Sequence, residues 1–149
     1  MSVSGLRPFP IIPTVASCIG AQAIGALWYS PFLFGSKWMD AMKKKKPNFN
    51  PQAEDPAIAI AGAAFMWITS SVCFTTMVGF WNPPKSGKVE KHHVLLDLLC
   101  LAHTAWLGFA LPQHVFATIF AEEDKAITFL GAGYSLVAYT WMAVAHYWF

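Results

Sequence analysis

The chain has 149 residues, the length of one domain, yet 56% of them are apolar and only 12% are charged. Its mean hydropathy is positive, and a water-soluble domain of this size needs more charged surface than that. A net charge of +2 is too small to imply a nucleic-acid partner, which requires a dense basic face.

Four long apolar stretches account for the composition, at about residues 11–29, 57–81, 94–120 and 126–148. Each reaches the ~20 residues that a helix rising ~1.5 Å per residue needs to cross a ~30 Å hydrocarbon core. Strands with open edges have no water there to satisfy them, so the segments are expected to be helical. The predicted fold is all-α: an integral membrane four-helix bundle, a single transmembrane domain over 1–149, with a short interfacial segment after the first helix.

Residues 1–10 carry one arginine and two prolines ahead of the first apolar run, as a signal peptide could. The run ends in an aromatic motif instead of a small-residue cleavage site, so it is read as the first span. Pro13 suits a first helical turn, where its missing N–H is no loss. Ser17, Ala21 and Gly25 then fall four apart on one face, a small-residue stripe against which another helix can pack in lipid. The span closes in Trp28-Tyr29-Ser30-Pro31, with Ser30 pushed out of helical geometry by the proline. Residues 32–42 are apolar and aromatic with Lys37 and Asp40 interspersed, too short to span and suited to lie along the interface. Here Trp28, Tyr29, Phe34 and Trp38 are expected to fix depth as an interfacial anchor, while Pro31 and Gly35 set the turn. Four lysines at 43–46 follow, with anionic headgroups as their natural partners.

The second span is rich in alanine and then carries Ser70, Ser71, Thr75 and Thr76, whose hydroxyls can bond back to their own helix. Asn82-Pro83-Pro84 stops it. In the third span, Pro112 would clash with the carbonyl of Gly108, which predicts a kink and a carbonyl in need of another donor. The link Glu122-Glu123-Asp124 is short, making spans three and four antiparallel neighbours. Span four opens with Gly131, Gly133 and Ser135, a second packing stripe, and ends in His146-Tyr147-Trp148-Phe149. Lys and Arg divide four against six between the two faces, which favours the lysine-rich first connector on the cytoplasmic, matrix or stromal side.

Few residues could carry chemistry. Asp97, with His93 four residues before it and Cys100 three after, is either one half of an interfacial pair or an intramembrane carboxylate for proton relay or ligand binding. His103, His114 and His146 lie at different depths, which argues against a bis-histidine haem. A single chlorophyll or other pigment on His103, walled by Trp67 and Trp106, stands beside the plainer reading of histidines bonded to carbonyls and hydroxyls. Cys18, Cys73 and Cys100 are odd in number, lack CxxC spacing and read as small buried apolar residues. Neither a metal-ligand pattern nor a nucleophile–base motif is present, so no catalytic residue, metal or cofactor is expected beyond a bound lipid.

The most specific stretch is Gly25-Ala26-Leu27-Trp28-Tyr29-Ser30-Pro31-Phe32-Leu33-Phe34-Gly35-Ser36-Lys37-Trp38. It resembles the G-x-L-W-Y-S-P-x-x-F-G-x-x-W pattern of the small multipass membrane family DUF1761. Trp106-Leu107-Gly108-Phe109 with Pro112, and Gly133-Tyr134-Ser135-Leu136-Val137, extend the likeness through most of the chain. The resemblance implies four helices and a shared interfacial corner, and brings no activity with it. The expected function is a non-catalytic accessory or structural subunit of a larger, energy-transducing membrane complex, with lipids and other transmembrane subunits as partners and no nucleic acid. The alternative is a small carrier or lipid-binding bundle using Asp97, His103 and the hydroxyl face of span two. A mitochondrial or thylakoid inner membrane is the favoured location if the source is eukaryotic.

Overall fold

The computed structural model describes residues 10–48, 50, 56–80 and 91–149. Its helices are α1 (Ile11–Trp28), α2 (Gly35–Lys45), α3 (Pro56–Phe80), α4 (Lys91–Ala105), α5 (Leu111–Phe120) and α6 (Lys125–Trp148), with a π-helical turn at Trp106–Ala110 joining α4 to α5. No strand occurs among the described residues. Helices α1, α3, the continuous α4–α5 unit and α6 are each long and apolar enough to cross a membrane. Spans two, three and four begin one to three residues earlier than the apolar runs suggest, at Pro56, Lys91 and Lys125.

The polarity of the bundle is that of a protein dissolved in lipid. Ile11, Ile12, Ile19 and Leu27 of α1 face outward, while Thr14, Ser17 and Ala21 are buried. Lipid tails are as apolar as leucine, so large side chains gain nothing by moving inside, and the interior goes to residues that let helices fit together. Two of the three cysteines follow the same logic and correct the expectation of burial: Cys18 is half-buried, but Cys73 and Cys100 are exposed.

Helix α6 is the centre, packing on α1, α2, α4 and α5. Asp124 starts it, its carboxylate accepting the Ala126 N–H at 2.8 Å. Ala138, Met142, Ala143 and Ala145 are fully buried along it. Glycines on α1 and α6 receive aromatic side chains from the opposite helix, and each aromatic then donates to a carbonyl of the helix it enters. The Trp141 indole lies where a Gly20 side chain would be and donates to Ala16 at 3.0 Å. Tyr134 occupies the notch at Gly25 and donates to Ala21 at 2.9 Å. Reciprocally, Trp28 rests on Gly133 and donates to Leu130 at 3.1 Å.

The corner after α1 is closed by its backbone: the N–H groups of Phe34 and Gly35 reach back to Trp28 and Ser30 at 3.0 and 2.9 Å. Its rings are turned toward the protein. Trp28 stacks with Phe34 at a centroid distance of 4.6 Å, and Tyr29 meets Trp38 edge-on at 5.9 Å. Phe32, 90% exposed, is the corner ring that faces out. Helix α2 then packs on α6, with Ala41 buried, and continues through Lys45, so that Lys43, Lys44 and Lys45 form its exposed last turn.

Pro112 shapes span three as a widened turn. With no proline N–H for the ladder, the bond just ahead of it spans five residues, from the Leu111 N–H to the Trp106 carbonyl. Such π-helical bulges reorient the side chains they carry and recur at functional sites.

Candidate functional site

Helix α3 packs chiefly on α1 and only lightly on span three. The gap between them, floored by α6, holds two cavities. The larger, about 560 Å³, is lined by Trp67 and Ser70 of α3, Phe109 of the π turn, Gln113 and His114 of α5, and Tyr134 of α6, among others. Tyr29, at the exit of α1, reaches it from the corner. The smaller, about 260 Å³, runs along Thr69, Cys73 and Met77 of α3. Ser70, Phe109 and Tyr139 line both, so the two are chambers of one groove. Small-molecule sites are commonly of this size.

The π turn contributes directly, because Phe109 and Ala110 sit in the wall of the larger chamber. Its first residue is fixed by hydrogen bonds: the Trp106 indole donates to Ala132 at 3.2 Å and to the Ser135 hydroxyl at 3.0 Å. Ser135 gives its own proton to Ala132 at 2.9 Å. At the long contact of 3.4 Å between Ser135 and His114 Nε2, the imidazole is therefore the donor, which leaves Nδ1 with its lone pair. Gly131 makes room for this ring, since a side chain there would meet His114 Cε1 at 2.8 Å.

Aromatic edges connect the groove to the interface. From Trp38, centroid distances of 5.9, 5.5, 5.4 and 6.4 Å lead through Tyr29, Tyr134 and Trp67 to Tyr139. Edge-to-face pairs of this kind are favourable and hold rings at fixed angles. Trp67 is 2% exposed, and its buried Nε1 has no hydrogen-bond partner.

At the interfacial end spans three and four are joined by the acidic link Glu122-Glu123-Asp124. Glu122 adopts a left-handed conformation with φ of 51°, and the Glu123 N–H returns to Ala117 at 3.2 Å. The half-buried Glu123 carboxylate bears on Tyr29 at the exit of α1. Burial first, and then this charge, push the Tyr29 phenol above its ordinary range. Among the described residues no lysine or arginine lines either chamber.

At the opposite face a second polar cluster joins three helices. The His146 Nδ1–H donates to the Met142 carbonyl at 2.9 Å, and Nε2 accepts from Thr75 at 2.8 Å. The Thr14 hydroxyl proton is shared between Pro10 at 2.7 Å and Thr75 at 2.8 Å. Thr75→Val keeps the shape but leaves Nε2 without a donor. We expect a loss of about 1–2 kcal/mol, read as a lower unfolding midpoint in detergent.

The structure sorts the residues singled out from sequence. Ser17 and Ala21 are fully buried, Ser135 nearly so, and Gly25 and Gly131 are filled by Tyr134 and His114. Trp28, Tyr29, Phe34 and Trp38 share the corner with exposed Pro31 and buried Gly35. Asp97 is exposed on α4, and neither it nor His103 lines the groove. Thr140 gives its proton to Leu136 at 2.9 Å, so His103 Nε2, 3.0 Å from the Thr140 oxygen, acts as a donor. Trp67 and Trp106, its proposed walls, make their contacts with α6 at Tyr134, Ala132 and Ser135. Of the hydroxyls of span two, Thr69 and Thr76 bond back to Phe65 and Val72, Thr75 crosses to α1 and α6, and Ser70 lines the groove. Gln113, Tyr139 and Glu123 carried no sequence signal for a site. Tyr134 lay within a motif that had pointed only to the family.

Fold and groove together define a four-span helical membrane protein with a lateral, two-chambered cleft. The family model for DUF1761, proteins of unknown function, matches residues 12–147. The chain belongs to that family. No curated protein and no solved structure matches it.

Proposed function

We propose that this protein binds an amphipathic molecule drawn sideways from the bilayer, the second of the two functions suggested by the sequence. The observation that carries this reading is the grading of the groove. Its larger chamber gathers the hydroxyl, amide and imidazole groups of Tyr29, Gln113 and His114 in the half of the bundle nearer α2. The smaller chamber, set toward the middle of the spans, is lined by Cys73, Phe74, Met77, Ala105 and Phe109 together with Thr69, Ser70 and Tyr139, and the Thr69 hydroxyl is spent on its own helix. A head therefore rests toward the α2 face and a hydrocarbon tail toward the midplane, the way a lipid stands in that leaflet. The residues differ from those first suggested, since Asp97 and His103 take no part. Lys43–Lys46, all exposed, favour anionic lipids around the same face.

Ser70→Phe tests the reading, because Ser70 lies where the chambers meet. Native mass spectrometry of protein purified in mild detergent is expected to show a retained amphiphile on the wild type and its loss from the variant, with unchanged helical content. Equal retention by both would overturn the proposal.

A second reading, a subunit held in a larger membrane complex such as an energy-transducing assembly of an organellar inner membrane, is favoured by α3. Gly62 and Gly79 have open space before them, leaving small-residue positions free for another transmembrane helix. Native-size separation with identification of co-migrating proteins tests it, and a monomeric species from native membranes would end it.

A further inference from the structure

We infer that His146 is a proton-binding site, built so that a second ring proton completes a hydrogen-bonded chain across α1, α3 and α6. The site stands apart from the groove, and a count of protons defines it. Four contacts run in series: from the Met142 carbonyl to Nδ1 at 2.9 Å, from Nε2 to Thr75 at 2.8 Å, from Thr75 to Thr14 at 2.8 Å, and from Thr14 to the Pro10 carbonyl at 2.7 Å. Each is short enough to need a proton of its own. Both ends are carbonyls, which only accept. A neutral imidazole brings one proton and each threonine brings one, so a single Thr14 proton has to serve two contacts. The imidazolium brings the fourth. With Nε2 protonated, Thr75 accepts from the ring and donates to Thr14, and Thr14 donates wholly to Pro10. The hydroxyls turn, and no heavy atom has to move. The other neutral tautomer does not close the count. Its Nδ1 lone pair would face the Met142 carbonyl at 2.9 Å, and Ser17, 3.4 Å from the same nitrogen, is too far to replace that bond.

Among the described residues, the other titratable groups of the surrounding helices stand elsewhere. Helices α1 and α3 contain no Asp, Glu, Lys, Arg or His, and their thiols are half-buried Cys18 and exposed Cys73, which lines the groove. Helix α4 packs Val94, Leu98 and Ala102 into the core, with His93 and Asp97 exposed and His103 bonded to Thr140. Helices α2 and α5 meet α6 nearer its start, where His114 lies on Gly131 and Trp38 joins Tyr134 through Tyr29. Along α6 the adjacent group is half-buried Tyr147. From α3, Phe74 meets the imidazole edge-on at a centroid distance of 5.2 Å. A charge on the ring is met instead by carbonyls, because His146 stands in the last turn of α6, where a cation is favoured. That turn ends at the aqueous face from which the proton comes. Its arrival gives the contact between Thr14 of α1 and Thr75 of α3 a proton of its own.

NMR of the full chain in maltoside micelles, with nitrogen-15 histidine and His146 assigned by the signals lost in His146→Gln, tests the site. Between about pH 8 and 5 the ring is expected to pass from one protonated nitrogen to two. Both ring protons should be protected from exchange at the acid end, with the rest of the spectrum retained. Thr14→Val leaves the neutral arrangement intact, since Thr75 still donates to Nε2, but deprives the Thr75 proton of its acceptor in the charged form. It should lower the midpoint by about one pH unit, the worth of one hydrogen bond in a charged chain, and Thr14→Ser should restore it. A ring still neutral at the acid end in the folded protein would overturn the inference, as would a midpoint that Thr14→Val leaves in place. If Thr14→Val does not fold, the wild type decides alone: a charged ring whose protons exchange freely with water is not held by Thr75 and Met142, and the site is then not the one inferred.

Discussion

Gly35→Ala is expected to unmake the corner between α1 and α2 and to lower stability by about 3 kcal/mol. A methyl group on Gly35 would lie 2.5 Å from the carbonyl oxygen of Tyr29 and 2.7 Å from that of Ser30. Both are backbone atoms, so no rotamer change relieves the clash. The turn must open, and the bonds from Gly35 to Ser30 and from Phe34 to Trp28 stretch with it. Tyr29 then loses its fixed place between Trp38 and Tyr134, so the interfacial end of the groove loosens along with the corner. Gly62→Ala and Gly79→Ala supply the contrast. Both glycines lie in α3 with nothing within 4 Å of the added carbon, and alanine there should stabilise by about 0.5–1 kcal/mol through helix propensity alone. Unfolding midpoints in detergent compare the three directly. A Gly35→Ala protein as stable as the wild type would show that the corner is pliable.

This corner was also the part of the fold most legible in the sequence. A proline and a glycine four residues apart, among aromatic rings, can do little except turn a chain. The four spans were legible for a different reason: the apolar length needed to cross a bilayer is a property of consecutive residues. The widened turn at Trp106–Ala110 was half legible, since Pro112 announces a break in the ladder without saying whether the helix bends or swells.

The groove could not be read in this way. It exists because α3 leans on α1 and away from span three, a relation among helices distant in sequence. Its lining residues, serine, tyrosine, glutamine and methionine, are unremarkable in any one span. The acidic link was legible only as a short connection between antiparallel spans, and nothing in its order tells that Glu123 is half-buried after the left-handed Glu122. Small residues presented a related ambiguity. A stripe of Ser, Ala and Gly is equally consistent with two backbones in contact and with a notch for a large ring. Sequence order alone does not distinguish them, and here Gly20, Gly25 and Gly133 are notches.

That distinction makes the effect of Gly20→Ala large and its sign informative. In an open helix interior the substitution would stabilise by about 1 kcal/mol. At Gly20 the new carbon would lie 1.8 Å from Trp141 Nε1 and 2.2 Å from Cε2, so the indole must leave its seat. It surrenders the hydrogen bond to Ala16 and the close fit of α1 on α6, the most extensive helix pair in the bundle. We expect a net loss of about 2–4 kcal/mol. A double-mutant cycle with Trp141→Ala isolates the cause. Once the indole is gone, alanine at position 20 should turn neutral or stabilising, because only its helix propensity remains. If Gly20→Ala costs as much without the indole as with it, the harm comes from backbone contact between the helices, and the notch is not what holds α1 to α6.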